Sequence, residues 1–263
     1  MALEFLMVEA TSNTSTMRRR FFAPPNAFKQ HSVTLTSDEA KHLRDVLRLK
    51  QGDEVFVFDG TGREYRCVVS SWKRDEVTLD DCQPVDPPHS ESPLNLTLGV
   101  ALLKGGKFDL VVQKTTELGV SEIIPLMTRH ADIHLRDASD AEKRLNRWRR
   151  IALEAAKQCG RARVPDIVLP MTIQDVIADS GESPGILFSE RDGKSLEEVV
   201  AASGAPDSIT ALVGSEGGWS DDESKLALDS GWSVVTLGGR TLRAETAAIT
   251  VCALLQHWVG DLK

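Results

Sequence analysis

The chain has 263 residues, the length of one large domain or two modest ones, and its 41% hydrophobic and 27% charged residues are enough to build and solvate a core. No apolar run approaches the roughly 20 residues of a bilayer span, so a soluble protein with no membrane partner is expected. The net charge of −8, from 31 basic and 39 acidic residues, excludes a uniformly basic coat for nucleic acid. Cys67, Cys82, Cys159 and Cys252 lie far apart and form no C-x-x-C pair, which points away from zinc or a disulfide framework and towards a reducing cytoplasm.

Residues 1–16 are rich in Ser and Thr but contain Glu4, Glu9 and no arginine, unlike a basic transit peptide, and read as a disordered extension. Met17, ahead of Arg18-Arg19-Arg20, offers a second start. Residues 17–83 are mainly β: 54–58 (EVFVF), 64–70 (EYRCVVS) and 76–79 (EVTL) are β-rich runs, and 59–62 (DGTG) is turn material. Between them, Thr36-Ser37-Asp38-Glu39 reads as a capping box for a helix burying Leu43, Val46 and Leu47. A small barrel closes this segment. Four prolines within 84–93 (PVDPPHSESP) mark a linker.

From 94 to 263 the pattern becomes strand–helix alternation. Strands are expected at 94–103, 122–127, 185–188, 209–213 and 233–237. Helices are expected at 108–118, at 138–158 with Leu145, Trp148, Ile151, Ala152 and Ala155 on one face, and at 245–259. That alternation predicts a parallel sheet covered on both faces, an α/β domain behind a β-barrel.

Two glycine-bearing loops follow predicted strands: 213–219 (VGSEGGW) and 237–246 (LGGRTLRAET). Parallel α/β sheets bind ligands at the carboxyl edge, and glycines let backbone amides approach one closely. Neither loop matches a dinucleotide or nucleoside-triphosphate motif. As single tight turns they would be unremarkable; as a pair on strand ends they mark a binding site. Glu245 either complements a helix dipole or contacts ligand. Arg240 and Arg243 either clamp an anion or pair with carboxylates. Between 143 and 163 stand eight basic residues (Lys143, Arg144, Arg147, Arg149, Arg150, Lys157, Arg161, Arg163) and one acidic, whereas 164–263 holds six basic and sixteen acidic. The basic run is a candidate polyanion surface. Arg18, Arg19 and Arg20 beside Phe21 and Phe22 are a second, unless those aromatics form the first strand. No nucleophile elbow or metalloprotease motif is present, and His130 and His134 have a metal-like spacing only if helical, so no metal is expected.

Six segments, 17–25 (MRRRFFAPP), 42–49 (HLRDVLRL), 114–120 (KTTELGV), 158–165 (QCGRARVP), 214–218 (GSEGG) and 237–247 (LGGRTLRAETA), stand in the order found in RsmE-type ribosomal RNA methyltransferases. The resemblance covers nearly all of 17–263. It implies a PUA-like β-barrel that helps bind RNA, a trefoil-knot (SPOUT) α/β domain, a homodimer, and methylation of uridine N3 in small-subunit ribosomal RNA with S-adenosylmethionine. General connection rules would not have led to a knot. The cofactor residues it implies are Leu187, Gly214, Glu216, Gly217, Gly218, Leu237, Gly238, Arg240, Leu242 and Arg243. Catalysis is assigned to Arg243, oriented by Glu117 or Glu245, and RNA contact to Arg18, Arg19, Arg20, Arg44, Arg48, Arg149, Arg150, Arg161 and Arg163. Two positions depart from the family pattern. Ser215 stands where proline is common, and Lys157 where glutamate is frequent, which weakens a carboxylate base there. A knotted methyltransferase for another RNA, or a non-catalytic ribosome assembly factor, are the alternatives.

Overall fold

A computed structural model describes residues 18–133, 135–181, 183–204 and 206–263. The extension expected at 1–16, together with Met17 and His134, lies outside the described residues. Contacts divide the chain into two units: residues through Phe58 with Glu64–Val85, and Asp59–Arg63 with Asp86–Lys263.

The first unit holds β1 (Arg20–Phe22), β2 (Phe28–Lys29), β3 (Ser32–Thr36), α1 (Ser37–Lys41), β4 (Glu54–Phe58), β5 (Glu64–Trp72) and β6 (Glu76–Val85). The strands run in the order β1-β4-β5-β6-β3-β2, parallel between β1 and β4 and antiparallel elsewhere. Strand alternation drives one face inward, so Val33, Leu35, Val55, Val57, Val69, Val77 and Leu79 make the core. Phe21 is among them, which settles its role as strand core rather than a stacking face.

Two expectations fail in this unit. The Thr36–Glu39 capping box does not form: Thr36 makes no side-chain cap, and the Glu39 carboxylate instead accepts from the Phe22 amide at 3.4 Å. The helix then loosens into a single π turn at His42–Val46, where Leu43 is buried but Val46 and Leu47 face outward, 69% and 40% exposed. The cysteines are the second failure. Cys67 on β5 and Cys82 on β6 are joined in a disulfide, with Cα atoms 4.3 Å apart. Fifteen residues separate them in sequence, but the antiparallel pairing brings them face to face.

The second unit holds β7 (Asn95–Ala101), α2 (Lys107–Glu117), β8 (Glu122–Met127), α3 (Ala138–Cys159), β9 (Asp166–Ile167), β10 (Met171–Thr172), α4 (Ile173–Asp179), β11 (Gly185–Phe188), α5 (Leu196–Ser203), β12 (Ser208–Val213), α6 (Asp221–Asp229), β13 (Ser233–Val235) and α7 (Ala244–Trp258). Its strands are parallel, in the order β10-β8-β7-β12-β11-β13, with β9 on β8. Successive side chains supply opposite faces. Ile123, Ile186, Phe188, Ile209, Ala211 and Val213 pack on one side with α2, α3, α5 and α7. Ile124, Leu126, Leu187 and Leu212 pack on the other with α4, α6, Trp219 and Trp232. No helix among the described residues is long and apolar enough to cross a membrane.

The proline-rich stretch is bonded into its surroundings. β6 continues to Val85, Glu91 accepts hydrogen bonds from Arg161 and from the Arg163 amide, and the Ser92 hydroxyl donates to Gln256 at 2.6 Å.

Candidate active site

The loops after β11, β12 and β13 all leave the sheet at its carboxyl edge and line one cavity of about 610 Å³. Phe188–Glu190 supply one wall, residues 213–219 a second, and residues 236–244 with Ala247 of α7 the third.

The loop after β12 is held from several directions. The Trp219 indole donates to the Phe188 carbonyl at 2.8 Å, fixing the loop to the end of β11. The Ser215 hydroxyl donates to the His130 carbonyl at 3.0 Å and accepts from the Gly217 amide at 3.3 Å, while the His130 ring bonds to the Gly217 carbonyl at 3.1 Å. These bonds provide local order at the position where the family pattern commonly has proline. Gly217 is demanded by space, against His130, and Gly218 by its conformation. A Cβ on Gly217 would sit 2.8 Å from His130 Cβ, and Gly218, at φ +69°, would place one 2.8 Å from a Glu190 carboxylate oxygen. Beyond the loop, Ser220 and Glu223 form a reciprocal capping box on α6, and Glu223 also accepts from the Arg129 amide.

Charge at the cavity is organised by Lys107, the first residue of α2. Its ammonium donates to Glu216 at 2.7 Å and lies 3.7 Å from Glu245 in the first turn of α7. The hydrogen bond from Lys107 holds the Glu216 carboxyl below the usual carboxylate range, and the same bond raises Lys107. Arg240 and Arg243 are exposed on the cavity wall and make no ion pair among the described residues.

Of the expected cofactor residues, Gly214, Glu216, Gly217, Gly218, Leu237, Gly238, Arg240, Leu242 and Arg243 line this cavity together. Leu187 does not. It is fully buried in the cluster under α4 and α6 because strand alternation turns it away, and Phe188, Ser189 and Glu190 face the cavity instead. Glu245 belongs to the Lys107 ion pair rather than to Arg243. Glu117 lies elsewhere, in a depression of about 250 Å³ between α2 and α3, where Lys114 donates to both of its oxygens at 2.9 Å. Lys107 was not anticipated, and His130 was weighed only as a metal ligand; Glu190 ends the 187–190 stretch that the resemblance places at the cofactor, and it does line the cavity. Lys107 in particular precedes an ordinary helical pattern, and nothing in local spacing connects it to residues more than a hundred positions later.

The expected RNA-contacting arginines divide into two groups. Arg161 is buried: it bonds Glu91 and donates to the Thr116 and Val120 carbonyls at 2.7 and 3.0 Å, so its role is inside the fold. Arg149 donates to the Ile167 carbonyl, Arg44 bonds Asp45 and the Arg74 carbonyl, and the Arg163 amide donates to Glu91. Arg18 and Arg20 donate to buried Glu64 while lying over the Phe56 and Phe58 rings at 4.7 and 4.8 Å. Arg19, Arg48 and Arg150 are exposed.

Comparison with known proteins places this architecture. Residues 90–256 match the RNA methyltransferase domain family, and residues 35–82 match the RNA methyltransferase PUA domain family. Ribosomal RNA small subunit methyltransferase E of Synechocystis sp. is 32% identical over 93% of this chain and 79% of its own length. The protein of that name from Rickettsia conorii is 30% identical, over 89% and 93%. The Neisseria gonorrhoeae ribosomal RNA small subunit methyltransferase E, solved bound to S-adenosyl methionine, is 30% identical and superposes with a TM-score of 0.82 over 94% of this chain and all of its own. A Legionella pneumophila structure in complex with the bound cofactor SAM is 29% identical, with a TM-score of 0.83 over 93% and 99%. The anticipated fold class, an α/β trefoil-knot domain with a PUA-like amino-terminal domain, is thereby borne out. The chain belongs to the ribosomal RNA small subunit methyltransferase E family.

Proposed function

We propose that this chain transfers a methyl group from S-adenosylmethionine to N3 of a specific uridine in small-subunit ribosomal RNA. The observation that carries the reading is the cavity at the carboxyl edge of β11, β12 and β13, with two arginines on its wall that pair with nothing in the described chain. The residues fit the cofactor. The volume lies within the ~300–1,000 Å³ of small-molecule sites, and the loop runs through Gly217, where a Cβ has no room beside His130, and Gly218, at positive φ. Gly214, Gly217, Gly218, Leu237, Gly238 and Leu242 would hold it, with Arg240 available to its carboxylate. Once bound, it supplies an electrophilic methyl group on a sulfonium.

The protein's own task is to place the base and manage charge. Uridine N3 carries a proton at neutral pH, and its loss spreads negative charge over the ring carbonyls. Arg243 sits at the amino-terminal cap of α7, where its guanidinium and the positive end of the helix dipole meet that charge. Glu216 is held ionised by Lys107 and is a weak base, Glu245 shares the same ammonium, and Glu117 is in another depression. Solvent is therefore the proton acceptor in this mechanism.

RNA contact is assigned to the exposed Arg19, Arg48 and Arg150, with Arg18 and Arg20 over their aromatic rings offering further cationic faces. A homodimer is part of the reading. α2 packs against α7, and each leaves a large apolar side chain exposed, Leu110 at 41% and Trp258 at 47%. Assembled small subunits in the cytoplasm are the proposed substrate. The Cys67–Cys82 pairing removes the cysteine argument for that compartment, which follows instead from where the substrate is.

Incubating the protein with labelled cofactor and small subunits lacking the modification, then locating the methyl group, tests the proposal. One labelled uridine N3 is the expected result, and Arg243→Ala should lower the rate ~100-fold or more with cofactor affinity retained. Cofactor binding without label in the subunit would overturn the substrate, and an Arg243→Ala protein of full rate would remove the arginine from the mechanism.

A further inference from the structure

We propose that Lys107 is a positioning residue that locks the two glycine loops around the cofactor by tying Glu216 of one to Glu245 at the end of the other. The inference rests on the reading of the cavity as the cofactor site, and deepens it. Glu216 lies in the loop after β12; Glu245 is the second residue of α7, directly after the loop that follows β13. Lys107 comes from a third segment. The β7–α2 connection turns through Gly105 and Gly106, both at positive φ, and so starts α2 beside the cavity. Among the described residues, its ammonium makes the ion pairs that join the two loops, at 2.7 and 3.7 Å.

The geometry shows why that cation is needed there. Glu245 is largely buried, and its Oε2 has no hydrogen-bond partner. A buried carboxylate oxygen without a donor is costly, and the nearest cation stands just beyond hydrogen-bond reach. A movement of less than an ångström in the ammonium or the helix end would complete the bond. Drawing the two loops together over a ligand is such a movement. Without Lys107, two carboxylates would be left beside one another with no cation between them and would push the loops apart. Arg243, which also approaches Lys107, opposes the ammonium and cannot replace it, because it lies in the same loop region as Glu245. Neither the lysine nor Glu245 lines the cavity, so the lysine acts on the ligand through Glu216, which does, and through the loop that Glu245 anchors.

The test compares wild-type protein with Lys107→Met, Lys107→Arg, Glu216→Gln and the Lys107→Met/Glu216→Gln double variant. Calorimetric titration with S-adenosylmethionine gives the affinities, methylation kinetics give kcat and KM, and thermal unfolding checks the fold. Lys107→Met should weaken cofactor binding about tenfold, as a partly exposed pair linking two loops would. The loss should appear mainly in the cofactor KM. Lys107→Arg should recover most of it. The double variant should bind better than Lys107→Met alone, because removing one carboxylate relieves the repulsion the lost cation leaves behind. A Lys107→Met protein with wild-type affinity, or a double variant in which the two losses add, would overturn the proposal. Should Lys107→Met not fold, the arginine and Glu216→Gln variants decide: near-wild-type affinity in the first and a KM-only defect in the second support it, and wild-type KM in the second sinks it. Failure of wild-type protein to bind the cofactor would be recognised separately, as failure of the functional reading itself.

Discussion

Arg161 shows how little a residue's type says about its task. It stands in a basic run whose sequence suits a polyanion, yet its guanidinium is buried against Glu91 and the Thr116 and Val120 carbonyls. The Thr116 carbonyl also accepts from the Gly119 amide and the Val120 carbonyl lies past the helix, and the five donors of a guanidinium suit such a cluster of acceptors. Arg161→Leu would leave the part-buried Glu91 carboxylate with only the Arg163 amide and take a charged donor from both carbonyls, and should lower unfolding free energy by about 2 kcal/mol. Urea denaturation measures that loss as a lower midpoint with unchanged slope. RNA affinity of the folded variant should stay as it was; a large fall in affinity without loss of stability would return Arg161 to the RNA surface. Ser215 is a second case. Its side-chain bonds to the His130 carbonyl and the Gly217 amide became visible only in three dimensions, because residue 130 is 85 positions away.

At the scale of elements, legibility followed burial pattern and length. The strands at 54–58, 122–127 and 185–188 have the bounds their apolar runs suggested, and the long amphipathic α3 runs one residue beyond expectation to its Gly160 cap at φ +88°. Missed were α4, α5 and α6, each of fewer than ten residues. Each begins with a reciprocal capping box, Thr172–Asp175, Ser195–Glu198 and Ser220–Glu223, but carries too few apolar residues for a periodicity to stand out. The box that was anticipated, at Thr36–Glu39, lost its glutamate to the amide of Phe22, a competitor that only the fold brings near. Elements also carry the association proposal. α2 and α7 are packed against the sheet and one another by their inner faces, so the outer Leu110 and Trp258 contribute little to the monomer's own core. Leu110→Glu combined with Trp258→Glu should therefore leave thermal unfolding of the protomer largely intact while converting a dimer to a monomer in light scattering. A dimer that survives both changes would move the interface to another surface.

For the whole molecule, the decisive quantity is how many cations remain available to RNA in a chain of net charge −8. Sequence arithmetic placed the acidity after residue 163 and a dense basic run before it. The fold then engages much of that run: Arg144 pairs with Asp140, Arg147 with Asp109, Lys157 with Glu154, Arg149 bonds a carbonyl and Arg161 is buried. Each phosphate contact to single-stranded RNA contributes a slope of about −0.7 to log affinity against log salt. Eight free cations would give a slope near −6 on that basis, whereas contacts by Arg19, Arg48, Arg150 and one or two neighbours give about −3. The shallower slope is the expected result, measured by filter binding of a small-subunit RNA fragment across a salt series. Arg19→Gln, Arg48→Gln and Arg150→Gln should each flatten it by about 0.7, and Arg161→Leu should not change it. A slope near −6 would mean that the ion pairs along α3 open to receive RNA. A slope near zero would assign recognition to shape and base contacts instead, and would restore to the net charge the weight it first carried against a nucleic-acid partner.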